Sequence, residues 1–329
     1  MRNIAGVVVM VALLAGCGGK GKGYETLATE KNADKAGSLI QAADTLWAER
    51  ADQAKLRAAL SKYEAAAQSA PENRHVHERL VRGWYFLADG FLETKDEKIE
   101  AFEKAKTWGQ RCMAINKDFA ARVDGGENPK TAVEVMAVAD APCIYWTASA
   151  LGKWAKANGI MKSLKYIGTV KAYIAFVEEN DPDFWHFGPA RYWGAYYSII
   201  PSFAGQDFDK SGEYFETSIK GAPSYLGTRV LRAENHAVGT QNVKAFDADL
   251  DFVINFDVST MPELIAENTM EIEKAKAIKA QRSELLASRT VSVCAFGCCR
   301  HWGCACANMP CVSRMKGLHS WRSCRHSST

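Results

Sequence analysis

Apolar positions recur about every three to four residues through most of the chain, the spacing of amphipathic helices and not of strands. Leu39, Ile40, Ala43, Leu46 and Trp47 line one face of a helix predicted over residues 36–49. Leu56, Ala59, Leu60, Tyr63 and Ala67 do the same over 53–69. Further helices are predicted over 76–93 and 95–115, with Leu80, Trp84, Phe86, Leu87 and Phe91 in the first and Ile99, Phe102, Ala105, Trp108, Cys112 and Met113 in the second. Residues 116–129, with Gly125, Gly126 and Asn128-Pro129, read as a loop.

Prolines divide the second half. The apolar stretch 132–157 contains Pro142, which removes a backbone hydrogen bond and kinks or splits a helix. Helices are then predicted over 162–179 and over the aromatic segment 184–200. Tyr214, Phe215, Ile219 and Ala222 end one helix, Gly221 and Pro223 break it, and Tyr225, Leu226, Val230, Leu231, Ala233 and Ala237 begin another. Residues 242–256 and 262–288 form a last pair. Successive helix pairs joined by tight turns describe an all-α, TPR-like array of antiparallel helix pairs over residues 33–289.

The N-terminus follows another pattern. Arg2 precedes an apolar run from Ile4 to Ala15, too short to span a membrane as a mature helix. It ends Leu14-Ala15-Gly16-Cys17, the pattern of a lipobox. Residues 1–17 thus read as a lipoprotein signal peptide, with Cys17 as the lipidated residue and several acyl chains as a stable membrane anchor. Gly18 follows the cysteine where a retention signal for the inner membrane places Asp, which points to the inner leaflet of the outer membrane. Residues 18–32 begin Gly-Gly-Lys-Gly-Lys-Gly and read as a flexible tether.

Charge and cysteine change the picture at the other end. Residues 290–329 contain no Asp or Glu and carry five basic residues, among them Arg300, Arg314 and Lys316. Without those five, the 41 basic and 38 acidic residues of the chain become 36 against 38, so the helical body is not a nucleic-acid binder by charge. Seven of the ten cysteines also lie in this tail. Their spacing forms no clean pair of C-x-x-C knuckles, and the tail reads as a frameshifted or disordered extension. In the body, Cys112 and Cys143 can pair in an oxidising compartment. Both fall in apolar helical stretches, and the reading favoured is two buried thiols.

No nucleophile elbow, zinc helix, phosphate loop or dinucleotide fingerprint occurs, so neither catalysis nor a cofactor or metal is expected. His75 and His77 point in different directions on a helix and read as a surface pair. Asp140 sits at the helix break with no second carboxylate in register. What remains is an aromatic excess that fits either a large core or a cavity for an apolar or amphiphilic solute. The candidate lining residues are Asp140, Pro142, Tyr145, Trp146, Trp154, His186, Arg191, Tyr192 and Tyr196.

An ordered set of patterns carries a resemblance. After the lipobox come A-P-x-x-Y-W at 141–146, L-G-K-W-A at 151–155 and G-P-x-R-Y-x-G-A-Y-Y at 188–197. Then follow Y-F-E-x-S-I-x-x-A-P-x-Y-L-x-T-R-V-L-x-A-E at 214–234 and M-P-E-L-x-x-E-N at 261–268. Together they resemble the T-component family of tripartite ATP-independent periplasmic (TRAP) transporters, the TatT lipoproteins. The similarity spans about residues 36–289 and leaves out the tail. It implies a TPR-containing periplasmic lipoprotein that assembles as a homotrimer, with a pore or cavity in each protomer. It also implies work with the transporter's solute-binding protein on hydrophobic solutes, organic acids included. The rival expectation is a TPR scaffold lipoprotein that holds peptides during envelope assembly.

Overall fold

A computed structural model describes Gly23, Tyr24 and residues 32–287. The predicted signal peptide with Cys17, most of the predicted tether and the cysteine-rich tail lie outside the described residues.

The described chain is all-α, and no strand occurs in it. Its helices are α1 (Ala33–Ala48), α2 (Gln53–Ser69), α3 (Arg74–Gly90), α4 (Lys95–Met113), α5 (Lys117–Asp124), α6 (Pro129–Ala132), α7 (Ala141–Ala157), α8 (Ile160–Asn180), α9 (Phe184–Ile199), α10 (Phe208–Gly221), α11 (Gly227–Leu231), α12 (Val243–Ile254), α13 (Ile265–Ala280) and α14 (Arg282–Ala287). Short polar side chains set many of the starts. Asn32, Asp52 and Asn73 accept from the amides of the first turns of α1, α2 and α3. Thr94 and Glu97 form a reciprocal capping box at α4.

Sequential helices pack as pairs: α1 on α2, α3 on α4, α7 on α8 and α9 on α10, with α4 also against α7. The main core runs from α1 to α9 and holds fully buried Tyr63, Phe119, Ile144 and Tyr173. A second, smaller core joins Leu226, Val230, Phe246, Leu250 and Val253 from α11 and α12 with Ala275 of α13.

Two local expectations change and one is refined. The stretch 116–129 is not all loop: Asn116 caps α5, and burial of Phe119 and Val123 stabilises this short helix. Pro142 does split the apolar stretch, and it sits in the first turn of α7, where its missing amide has no partner to lose. The two body cysteines are not free thiols. Packing of α4 against α7 sets their Cα atoms 5.5 Å apart, and Cys112 and Cys143 form a disulfide.

Candidate functional site

The predicted lining residues separate into four places. Asp140 is buried at the start of α7 and is committed locally. It accepts from the Ala137 amide at 2.9 Å and from Asn116 Nδ2 at 2.8 Å, and pairs with Arg74 at 2.6 Å. Pro142 adjoins it. Trp154, near the end of α7, packs edge-on against Tyr166 and carries the Lys106 ammonium 3.9 Å from its ring centroid. Tyr192 and Tyr196 stack on α9 at 6.2 Å, and Trp193 joins them. Burial raises the Tyr192 phenol above its ordinary range, so it stays protonated.

The other four, Tyr145, Trp146, His186 and Arg191, come together. The backbone explains how. Trp185, His186 and Phe187 take three consecutive left-handed conformations, with φ of 47°, 58° and 56°. Residues with side chains avoid this region at a cost of roughly 1–2 kcal/mol each, so the turn needs outside support. Arg191 supplies it. Its Nη2 donates to the Trp185 carbonyl at 3.1 Å and its Nη1 to the His186 carbonyl at 3.0 Å. Nη2 also donates to the Tyr145 hydroxyl at 2.9 Å, and the guanidinium lies 4.3 Å from the Tyr225 ring centroid. Two glycines make room. A Cβ on Gly188 would sit 2.6 Å from the Tyr145 ring, and one on Gly221 would sit 2.2 Å from Phe187.

The turn presents Trp185 and His186 to a larger cluster. His186 stacks on Tyr225 at 5.1 Å, and Trp185 meets Trp146 edge-on at 5.3 Å. The Arg82 guanidinium lies 3.8 Å from the Trp185 ring centroid and 5.7 Å from that of Trp146. Burial, then the charges of Arg191 and Arg82, hold His186 below its usual pKa, so its ring is neutral at neutral pH.

A polar seam closes the cluster on one side. Glu267 of α13 accepts from Arg50 through both oxygens, at 3.0 and 2.7 Å, and from Arg82 at 2.7 Å. Burial alone would raise this carboxyl. The Arg50 hydrogen bonds and the charges of Arg82 and Arg50 bring it below the usual range. One turn and two turns further along α13, Glu271 and Lys274 follow; Lys274 pairs with Glu271 at 3.0 Å and with Asp89, which also holds Lys153 at 2.6 Å. Asn268 bridges the α10–α11 turn, accepting from the Leu226 amide and donating to the Ser224 carbonyl.

The cluster has more donors than acceptors. Arg50 and Arg82 share one carboxylate, and Arg191 has only neutral partners. The indole Nε1 of Trp146 is buried without a hydrogen-bond partner, and that of Trp185, buried beside Tyr225, makes no hydrogen bond of good geometry. A buried donor left unmade costs about 1–3 kcal/mol, so the cluster is poised toward a group rich in acceptor oxygens.

Sequence reasoning missed Arg50, Arg82 and Glu267. They come from distant parts of the chain, and no local spacing links them. It also misplaced His77, which is buried with Nε2 donating to the Pro71 carbonyl at 2.8 Å and its ring against Trp108. Only His75 is at the surface, beside Asp44. An open groove of about 740 Å³ runs along α10 past Glu213, Glu216 and His236, apart from all the predicted lining residues. Among the described residues no group of His, Cys, Asp and Glu could hold a metal ion.

The fold and the cluster define an all-helical, repeat-type protein built around buried arginines and aromatic rings. No described helix is long and apolar enough to cross a membrane. The chain belongs to the TRAP transporter T-component family (TAtT), whose family model matches residues 51–286. The protein is therefore an accessory component of a TRAP transport system. Comparison with curated proteins gives no match.

Proposed function

We propose that this protein is a non-catalytic periplasmic lipoprotein that binds a hydrophobic or organic-acid solute and hands it on together with the TRAP solute-binding protein. The observation that carries this reading is the donor excess around Trp146, Trp185 and Arg82. Apolar rings would contact the body of an amphiphilic solute, and its acceptor oxygens would take up the indole N–H groups. Tyr145, Trp146, His186 and Arg191 form the first part of this site; Tyr192 and Tyr196, which pack apart from them on α9, would be a second contact for the solute. Cys17 would anchor the protein to the inner leaflet of the outer membrane, and the working assembly would be a homotrimer.

Native mass spectrometry of residues 18–289 tests assembly and ligand together. The expected result is a trimer that retains an apolar acid through purification and captures the solute-binding protein. Trp146→Phe keeps the ring and removes the donor; with a medium-chain fatty acid as probe it should weaken binding about tenfold, the value of one buried hydrogen bond. Tyr192→Ala should weaken it as well. Unchanged affinity in both variants would sink the site assignment.

A further inference from the structure

Of the first ten residues of α8, Tyr166 packs against the core, on Trp154, while the face that starts at Ile160 turns outward. None of residues 160–169 is buried, and Ile160, Met161 and Leu164 are 62%, 76% and 48% exposed. Apolar side chains at i, i+1 and i+4 on a free helical face are the arrangement of a helix that lies in a membrane interface. The charge along this stretch of the chain has one sign. Residues 141–177 contain no Asp or Glu, and carry Lys153, Lys156, Lys162, Lys165 and Lys171. Lys153 is taken by Asp89, but Lys156, Lys162 and Lys165 are exposed and none pairs with a carboxylate among the described residues. Lys106 of the neighbouring α4 is neutralised by Glu103, whereas the exposed Lys162 lies over the Trp154 ring on this face.

We infer that the exposed face at the start of α8 docks on an anionic phospholipid surface, with Ile160, Met161 and Leu164 entering the interface and Lys156, Lys162 and Lys165 meeting lipid phosphates. Apolar insertion gives the contact depth; each lysine near an anionic surface adds about 1 kcal/mol at moderate salt. The entry of the chain into the fold agrees with this placement. The Tyr24 hydroxyl bonds the Tyr173 hydroxyl of the same helix at 2.7 Å, so the N-terminal segment joins the body beside α8. Tyr24 lies seven positions after Cys17, a reach of at most about 25 Å. Ile160 and Tyr173 lie thirteen residues apart on α8, roughly 20 Å. A lipid on Cys17 and the start of α8 can therefore meet the same bilayer. This last point rests on the lipoprotein reading; the docking face itself does not.

The test uses the chain from Gly18 onward, which lacks only the leader and the acceptor cysteine, and so separates the docking face from the anchor. Sedimentation is measured with vesicles of equal parts phosphatidylglycerol and phosphatidylcholine, and with phosphatidylcholine alone. The parent should bind the anionic vesicles and not the neutral ones. The triple variants Ile160→Ser/Met161→Ser/Leu164→Ser and Lys156→Glu/Lys162→Glu/Lys165→Glu should each bind at least about tenfold more weakly. All six side chains are exposed, so helical content and melting temperature should match the parent. Parental binding by both variants overturns the inference, because the basic tail then carries the attraction. So does a change in oligomeric state or in capture of the solute-binding protein with vesicle binding unaltered, because the face is then a protein interface.

Discussion

Glu267 is a buried carboxylate on which two buried guanidinium groups depend. It holds Arg50 and Arg82, and it joins the turn after α1, helix α3 and helix α13. Glu267→Gln would leave two buried guanidinium groups without a carboxylate, and breaking a buried pair of this kind costs about 3–5 kcal/mol. Denaturant unfolding should show that loss at neutral pH. Because folding lowers the Glu267 pKa, its contribution is present above the unfolded value, about 4.3, and is lost as the pH falls through the folded one.

His77 acts in the same direction at higher pH. Burial pushes its imidazole down to about 4. The neutral ring is what the fold accommodates, so stability is full above the unfolded pKa of about 6.5 and falls as the pH drops toward 4. The loss is on the order of 3 kcal/mol over that window. His77→Gln should flatten the upper part of the acid-unfolding curve and leave the part below pH ~4.3 to carboxylates such as Glu267. A curve of unchanged shape in this variant would rule His77 out as the source.

At the scale of elements, the left-handed turn at 185–187 is the costly feature, and Arg191 offsets the cost. A lysine offers one point charge where the guanidinium reaches two carbonyls and a phenol together, so Arg191→Lys should not rescue Arg191→Met. Both variants should lose about 2–3 kcal/mol, read by thermal unfolding. Gly221→Ala puts a methyl into the Phe187 ring and should cost about 1–3 kcal/mol through overpacking. The Cys112–Cys143 bridge closes a loop with a sequence separation of 31. Chain entropy alone then predicts about 3–4 kcal/mol of stabilisation, to be measured with and without reductant. These elements were partly legible in advance. The start of α7 at Pro142 and the aromatic density of α9 follow from residue types. The left-handed turn does not, because Trp, His and Phe disfavour that conformation, and the Arg191 guanidinium that holds it, five and six residues on, is also bonded to Tyr145 of another helix.

For the whole molecule, the compact unit ends at Leu286, close to the point where acidic residues disappear from the sequence. A chain ending at residue 289 should unfold within about 0.5 kcal/mol of the full chain, the range of changes that touch no packed feature. A larger loss would show that the cysteine-rich tail contributes to the fold.

The sequence by itself determined the class of the fold, the order of its helices and the family. Helical periodicity, caps and proline breaks are local, and each is written within a few residues. Only the tertiary structure decided which aromatic residues meet. It separated Trp154, Tyr192 and Tyr196 from Tyr145, Trp146, His186 and Arg191, and supplied Arg50, Arg82 and Glu267 from remote positions. It also decided the fate of the cysteines, since a disulfide requires two Cα atoms within bonding reach and that distance is fixed by how α4 packs on α7. The physical reason is common to both. Buried charge and sulfur find their partners across helix interfaces, and the pairing of those interfaces depends on the shape of the whole core, not on any one stretch of chain.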